Sequence, residues 1–258
     1  MTDAASGSPA PPAVAPATAS AVQEALGARA DPEFATGVAR FFQTGPGQYA
    51  EGDVFLGLRM PVMRSIVESF TAMPQTEIDV LLDSEVHEHR TTGLLLLVAQ
   101  FEKASKPAAR DDEIRTRLAA AYLAAVRRGR VNNWDLVDCS APTLVGAYLF
   151  DRPRDVIFEL ADSEVLWHRR VAMVGTLGLI TRGDASTTLQ LAARLLGDRQ
   201  PLMHKAVGWM LREVGRRIDK SLLLTFLDQH AAAMPRTALS YATEHLSPEI
   251  RAAYRALR

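Results

Sequence analysis

The stretch His168–Ile180, HRRVAMVGTLGLI, decides the reading of the fold: a histidine and a base stand ahead of a run whose apolar residues recur at three- and four-residue spacing. Two other stretches repeat the pattern, His89–Val98 as HRTTGLLLLV and His204–Val214 as HKAVGWMLREV. The first and second begin 79 residues apart, the second and third 36, and the segment Asn132–Asp138, NNWDLVD, falls near the vacant middle position. This period fits stacked helical pairs of the HEAT kind, roughly 40–47 residues each. Such pairs build a solenoid in which one helix of each pair lines the concave face. The expected fold is all-α, a HEAT-like helical-repeat solenoid whose concave face is the binding surface.

The rest of the chain agrees with this pattern. Thr91–Lys103, Arg115–Arg127, Val165–Ile180 and Leu202–Arg217 are each long enough for three or more helical turns. Asp31-Pro32, Met60-Pro61, Gln200-Pro201 and Ser247-Pro248 mark helix starts, because proline at the first helical position gives up an N–H that has no partner there. Gln43–Asp53, QTGPGQYAEGD, reads as the one irregular loop of any length. Residues 1–30, rich in Ala, Pro, Ser and Gly, are expected to be a disordered tail, and residues 31–258 the helical-repeat domain. The tail has no basic start and is broken by prolines, so no export signal is expected.

Composition narrows the function classes. The 258 residues are 48% hydrophobic and 23% charged, enough for a sizeable core. The net charge of −1 offers no global positive field, so a nucleic-acid surface would have to be local. A single cysteine, Cys139, excludes a disulfide framework and points to the cytosol. It reads as an inert thiol. No run approaches a membrane span. His89, His168 and His204 lack the carboxylate or thiolate company of a metal site and are read as packing or helix-start residues, so neither metal nor cofactor is expected.

Trp134 and Asp138 stand four apart and share one helix face, which sets an aromatic surface beside a carboxylate. Pro142 removes the hydrogen bond that the Asp138 carbonyl would otherwise accept, so a kink or break is expected just beyond it. Trp209 shares a face with Lys205 and Arg212, a base–aromatic–base row suited to phosphate and sugar. Arg170 lies 36 residues after Trp134 and 39 before Trp209, so stacked repeats would bring the three onto neighbouring helices.

With these residues in place, the chain resembles the AlkD-type DNA alkylation repair glycosylases, HEAT-like solenoids that excise bases alkylated at N3 or N7. The resemblance covers most of Asp31–Leu246. It is carried by WDLVD followed by APTLVG, by LWHRRVA, by KAVGWMLRE, and by the start FFQTGPGQYAEGDVFLGLRMPVMR, which looks like one branch of that family. It implies Trp134 and Asp138 at the reacting nucleotide, Trp209 against its deoxyribose, and Arg170 with Arg212 on the DNA backbone. Where other members carry a tyrosine on the early helix this chain has Phe41, and Tyr49 in the following loop is another candidate for that contact. The implied partner is double-stranded DNA with alkylated bases, and the implied process base excision repair. The protein is expected to work as a monomer in the cytoplasm, at the nucleoid when bound to DNA.

The chemistry is coherent in itself. A purine alkylated at N3 or N7 is already cationic and leaves as a neutral base, so no strong general acid is needed. An ionised carboxylate would stabilise the positive charge developing on the sugar and orient water. Two other classes share these residues: a DNA-structure binder without base release, and a helical-repeat protein adaptor. The adaptor class predicts no salt-dependent DNA binding.

Overall fold

The computed structural model describes residues 17–257, and within them the regular structure is helical. The order is α1 Ala19–Gly27, α2 Pro32–Phe41, α3 Met60–Ser69, α4 Gln75–Leu82, α5 His87–Ala104, α6 Asp112–Arg127, α7 Trp134–Ala141, α8 Asp155–Ala161, α9 Leu166–Gly175, α10 Leu177–Ile180, α11 Ser186–Arg194, α12 Pro201–Arg217, α13 Lys220–His230, α14 Arg236–Ala242 and α15 Pro248–Ala256. All four proline-marked starts open helices, and the Asp31 and Ser247 side chains accept from Phe34 N–H and Ile250 N–H. No helix among the described residues is long and apolar enough to cross a membrane.

The helices stack as a solenoid. An inner row runs α5 on α7, α7 on α9, α9 on α12 and α12 on α14, while α6, α8, α11 and α13 pack behind it. Leu94, Leu136, Val171 and Leu211, fully buried, come from four successive inner helices and form one continuous core. The repeat is visible in its bonds. His89 Nδ1 meets Ser84 Oγ at 2.9 Å and His168 Nδ1 meets Ser163 Oγ at 2.9 Å. Arg90 and Arg169 each donate from Nη1 to two carbonyls of the preceding turn, Ser84 and Glu85 in one case, Ser163 and Glu164 in the other. The sequence DSEV-x-x-HR, at Asp83–Arg90 and Asp162–Arg169, is thus a helix-start device in which the serine Oγ accepts from the valine N–H two residues on and the arginine takes the carbonyls just ahead of the helix. His204 Nε2 meets the Asp198 carbonyl at 2.6 Å in the third copy.

Two expectations are refined. Pro142 does interrupt α7, but as a π-helical turn over Pro142–Ala147 that keeps the chain coiling. A Cβ on Gly146 would fall 2.0 Å from the Gly175 carbonyl, and one on Gly178 2.0 Å from that of Pro142, so glycines allow this turn to lie directly on the α9–α10 junction. The tail is corrected at its C-terminal end. Thr18 accepts from Ala21 N–H and starts α1, and Val22 and Leu26, four apart, bury one face of that helix completely. Burial of this stripe outweighs a composition that otherwise suits a linker. Residues 1–16, the remainder of the expected tail, lie outside the described residues.

Candidate functional site

The eight residues singled out from the sequence, Phe41, Tyr49, Trp134, Asp138, Arg170, Lys205, Trp209 and Arg212, line one cleft of about 1040 Å³ on the inner row of helices. Asp138 is on α7, Arg170 on α9, and Lys205, Trp209 and Arg212 on α12, so three successive repeats contribute. Phe41 comes from the end of α2 and Tyr49 from the loop that follows.

At its centre is an ion pair whose arginine is buried and whose carboxylate is partly exposed. Arg170, 4% exposed, donates to Asp138 Oδ1 from Nε (3.2 Å) and to both carboxylate oxygens from Nη2 (2.9 Å each). Its Nη1 donates to the Leu202 carbonyl in the first turn of α12 at 2.7 Å. One arginine therefore ties α7, α9 and α12 together and clamps the carboxylate. Nε, Nη2 and Nη1 of Arg170 all donate within the protein, while the residue lines the cleft as well. Oδ1 accepts two bonds and Oδ2 only one, so the remaining acceptor capacity lies mainly on Oδ2. Burial raises the Asp138 pKa above the ordinary carboxylate value, with the nearby charge of Asp135 adding to it and Arg170 offsetting only part.

The walls are aromatic. Trp134 stacks on Phe42 (centroids 5.2 Å, interplanar 14°), Phe42 on Phe55 (5.2 Å, 21°) and Phe55 on His87 (4.7 Å, 28°). Phe41, 66% exposed, meets Trp134 edge-on at 5.9 Å. Tyr49 meets Trp167 edge-on at 5.9 Å. All three tryptophans of the chain line this cleft. Trp167 was not among the sequence candidates, although it lies three residues before Arg170 on the same helix face. Gln200 and Tyr241 also reach the cleft.

The cations differ in availability. Lys205 is exposed at the rim. Arg212 donates to Glu244 and lies 3.5 Å from Glu213, which also binds Arg216 and Arg217, so a ligand phosphate would have to compete with carboxylates for it. Arg128 and Arg130 reach Asp83 and are spent on an ion pair outside the cleft. Burial raises the Cys139 pKa, in keeping with an inert thiol.

Behind the tryptophan wall lies a polar network that sequence inspection passed over. His87 is held between Asp135 Oδ2 (Nε2, 2.7 Å) and Asp53 Oδ2 (Nδ1, 3.3 Å), and Arg90 Nη2 donates to Asp53 Oδ1 at 2.6 Å. It fastens the end of the Gln43–Asp53 loop to the helix carrying Trp134 and Asp138. Burial works against the His87 imidazolium, but the hydrogen bonds to Asp135 and Asp53 prevail and raise its pKa to about 9. Protonated His87 therefore adds roughly 3 kcal/mol of stability relative to an ordinary histidine. Since its folded pKa is raised, this contribution is complete below about pH 6.5 and is lost as pH rises through about 9. Urea unfolding across pH 6–10 should show that decline, and His87→Gln should flatten it; an equal decline in the variant would assign it to other groups.

The family model for DNA alkylation repair enzymes matches residues 22–246. Among solved structures the chain is similar to a predicted DNA alkylation repair enzyme from Enterococcus faecalis, with a TM-score of 0.63 and 16% identity over 85% of this chain and 97% of that one. At that identity the likeness establishes the fold. No curated protein matches.

Proposed function

The chain belongs to the DNA alkylation repair enzyme family, and from that premise we propose that it is a DNA glycosylase, hydrolysing the N-glycosidic bond of purines made cationic by alkylation at N3 or N7. The observation that carries this reading is the Asp138–Arg170 clamp at the centre of a cleft lined by three tryptophans. In the reaction the bond between C1′ and the base nitrogen breaks and its electrons pass to the purine, cancelling its positive charge. Positive charge develops on the deoxyribose instead. The fixed Asp138 carboxylate stabilises that charge, and its Oδ2 accepts a hydrogen bond from the water whose oxygen adds to C1′. The water's proton is released as the new C–O bond forms.

Each residue has a part. The ring faces of Trp134 and Trp209 attract the cationic base and the developing sugar charge, at about 0.5–2 kcal/mol each. Arg170 holds Asp138 in register and keeps it ionised. Phe41 supplies an apolar contact at the mouth where a hydroxyl is lacking. Lys205 and, once exchanged from Glu244, Arg212 hold phosphates. Lys205→Ala should weaken binding to duplexes of any sequence and reduce the salt slope by about one unit. An unchanged slope would remove that contact.

Among the described residues the one carboxyl lining the cleft is Asp138, which works here as the ionised group, so release should require a cationic lesion. Matched duplexes carrying one 7-methylguanine or one hypoxanthine test this. Release of the first alone supports the mechanism, and comparable release of both contradicts it.

A further inference from the structure

Arg212 is a cleft cation whose partner can be exchanged, and the packing around it fixes which partner it has. Helices α12 and α14 touch closely, since a Cβ on Gly208 would stand 2.3 Å from the Ala238 carbonyl oxygen and 2.6 Å from the Tyr241 Cβ. One turn beyond that contact, Arg212 on α12 donates to Glu244, which lies in the turn after α14. The Glu244 side chain is 53% exposed and meets Arg212 alone among the described residues. Arg212 is held less completely than Arg170, which donates from all three of its guanidinium nitrogens. Its Nη1 serves Glu244, its Nη2 stands 3.5 Å from Glu213, and its Nε is buried without a hydrogen-bond partner among the described residues. Glu213 does not depend on it, because Arg216 and Arg217 each donate to the other carboxylate oxygen at 2.6 Å. With Glu244 swung aside, Arg212, Arg216 and Arg217 would surround Glu213 alone, a net positive site next to Trp209 in the cleft.

We propose that Glu244 is an internal competitor for the phosphate seat on Arg212, lowering the affinity of the cleft for DNA until a backbone phosphate displaces it. The proposal rests on the DNA-binding part of the reading above and not on base release. A carboxylate and a phosphate diester present similar anionic oxygens to a guanidinium, so either can take the Nη1 donor but not both. The pair yields readily because one partner stands half in water, where an ion pair contributes little. Its effect on binding is larger than its effect on stability. Arg212 must first be freed, and the displaced Glu244 then remains near enough to repel the same phosphate. Every duplex is affected alike, since a phosphate carries no sequence information.

The test is a double-mutant cycle on dissociation constants for an unmodified duplex at about 0.1 M salt, using Glu244→Gln, Arg212→Gln and the two combined. Glutamine at 244 keeps an oxygen that can accept from Arg212, so the link between α12 and the turn after α14 survives. Glu244→Gln should tighten binding by about fivefold, and by less than about twofold once Arg212 is replaced. Glu244→Ala, which removes the acceptor altogether, should tighten binding at least as much as Glu244→Gln. No tightening in either Glu244 variant overturns the proposal. Equal tightening with and without Arg212 overturns it too, because the carboxylate would then act by plain repulsion of the DNA. Wild type without salt-dependent binding to the duplex would refute the DNA-binding reading and the proposal with it. Because no step needs base release, the glycosylase reading can fail while the competitor stands.

Discussion

Asp138→Asn is expected to lower the rate of base release by about 10²–10³-fold while the protein stays folded and continues to bind DNA. The magnitude follows from removing one preorganised charge at the position where charge develops. Asparagine keeps an oxygen that can accept from Arg170, so the link between α7 and α9 persists, while the negative charge facing the sugar is lost. Single-turnover release from a duplex with one 7-methylguanine, alongside an affinity measurement, separates the two effects. A rate within a few-fold of wild type would take Asp138 out of the mechanism. Wild type itself should lose activity as pH falls through the Asp138 pKa, because the working form is the carboxylate. Since burial raises that pKa, the acid limb should lie above the ordinary carboxylate range.

Arg170→Met is expected to destabilise the protein by about 3–5 kcal/mol, the usual cost of leaving one member of a buried ion pair without its partner. It should also move the acid limb of the rate toward neutrality, because Asp138 loses the cation that offsets its burial. Urea unfolding and a pH–rate profile together check this. If Arg170 instead held a phosphate, the variant would keep the wild-type pH profile and lose about one unit of salt slope. Arg170→Lys distinguishes further, since an ammonium group cannot reproduce the forked contact to both carboxylate oxygens and the carbonyl of Leu202.

Much of this structure is legible in the sequence because the repeat is local. His89, His168 and His204 each precede a base and an amphipathic run, and a helix start with its own hydrogen-bonded device is found at each. The stacking of those starts brings residues 36 and 39 apart to one face, so Trp134, Arg170 and Trp209 line one cleft. The contact of Arg170 with Asp138 was not legible. A base on that row suits a phosphate equally well until the carboxylate one repeat earlier is seen to take its donors. Trp167 went unnoticed because it lies inside the helix-start motif, and its partner Tyr49 is on a loop far away in sequence.

His87 was hidden for a similar reason. His89 supplied the register of the repeat, while the partners of His87, Asp53 and Asp135, are 34 and 48 residues distant. Helix α1 was missed because it follows directly on a segment rich in alanine, proline and serine. The spacing of Val22 and Leu26 behind Thr18 was the signal that outweighed composition.

The measurement that tests the central claim most directly is chromatography of the bases freed from methylated duplex DNA incubated with the unmodified protein. Free 3-methyladenine or 7-methylguanine, appearing with an equal number of abasic sites, is the predicted result. Stable DNA binding without any free base would contradict the account.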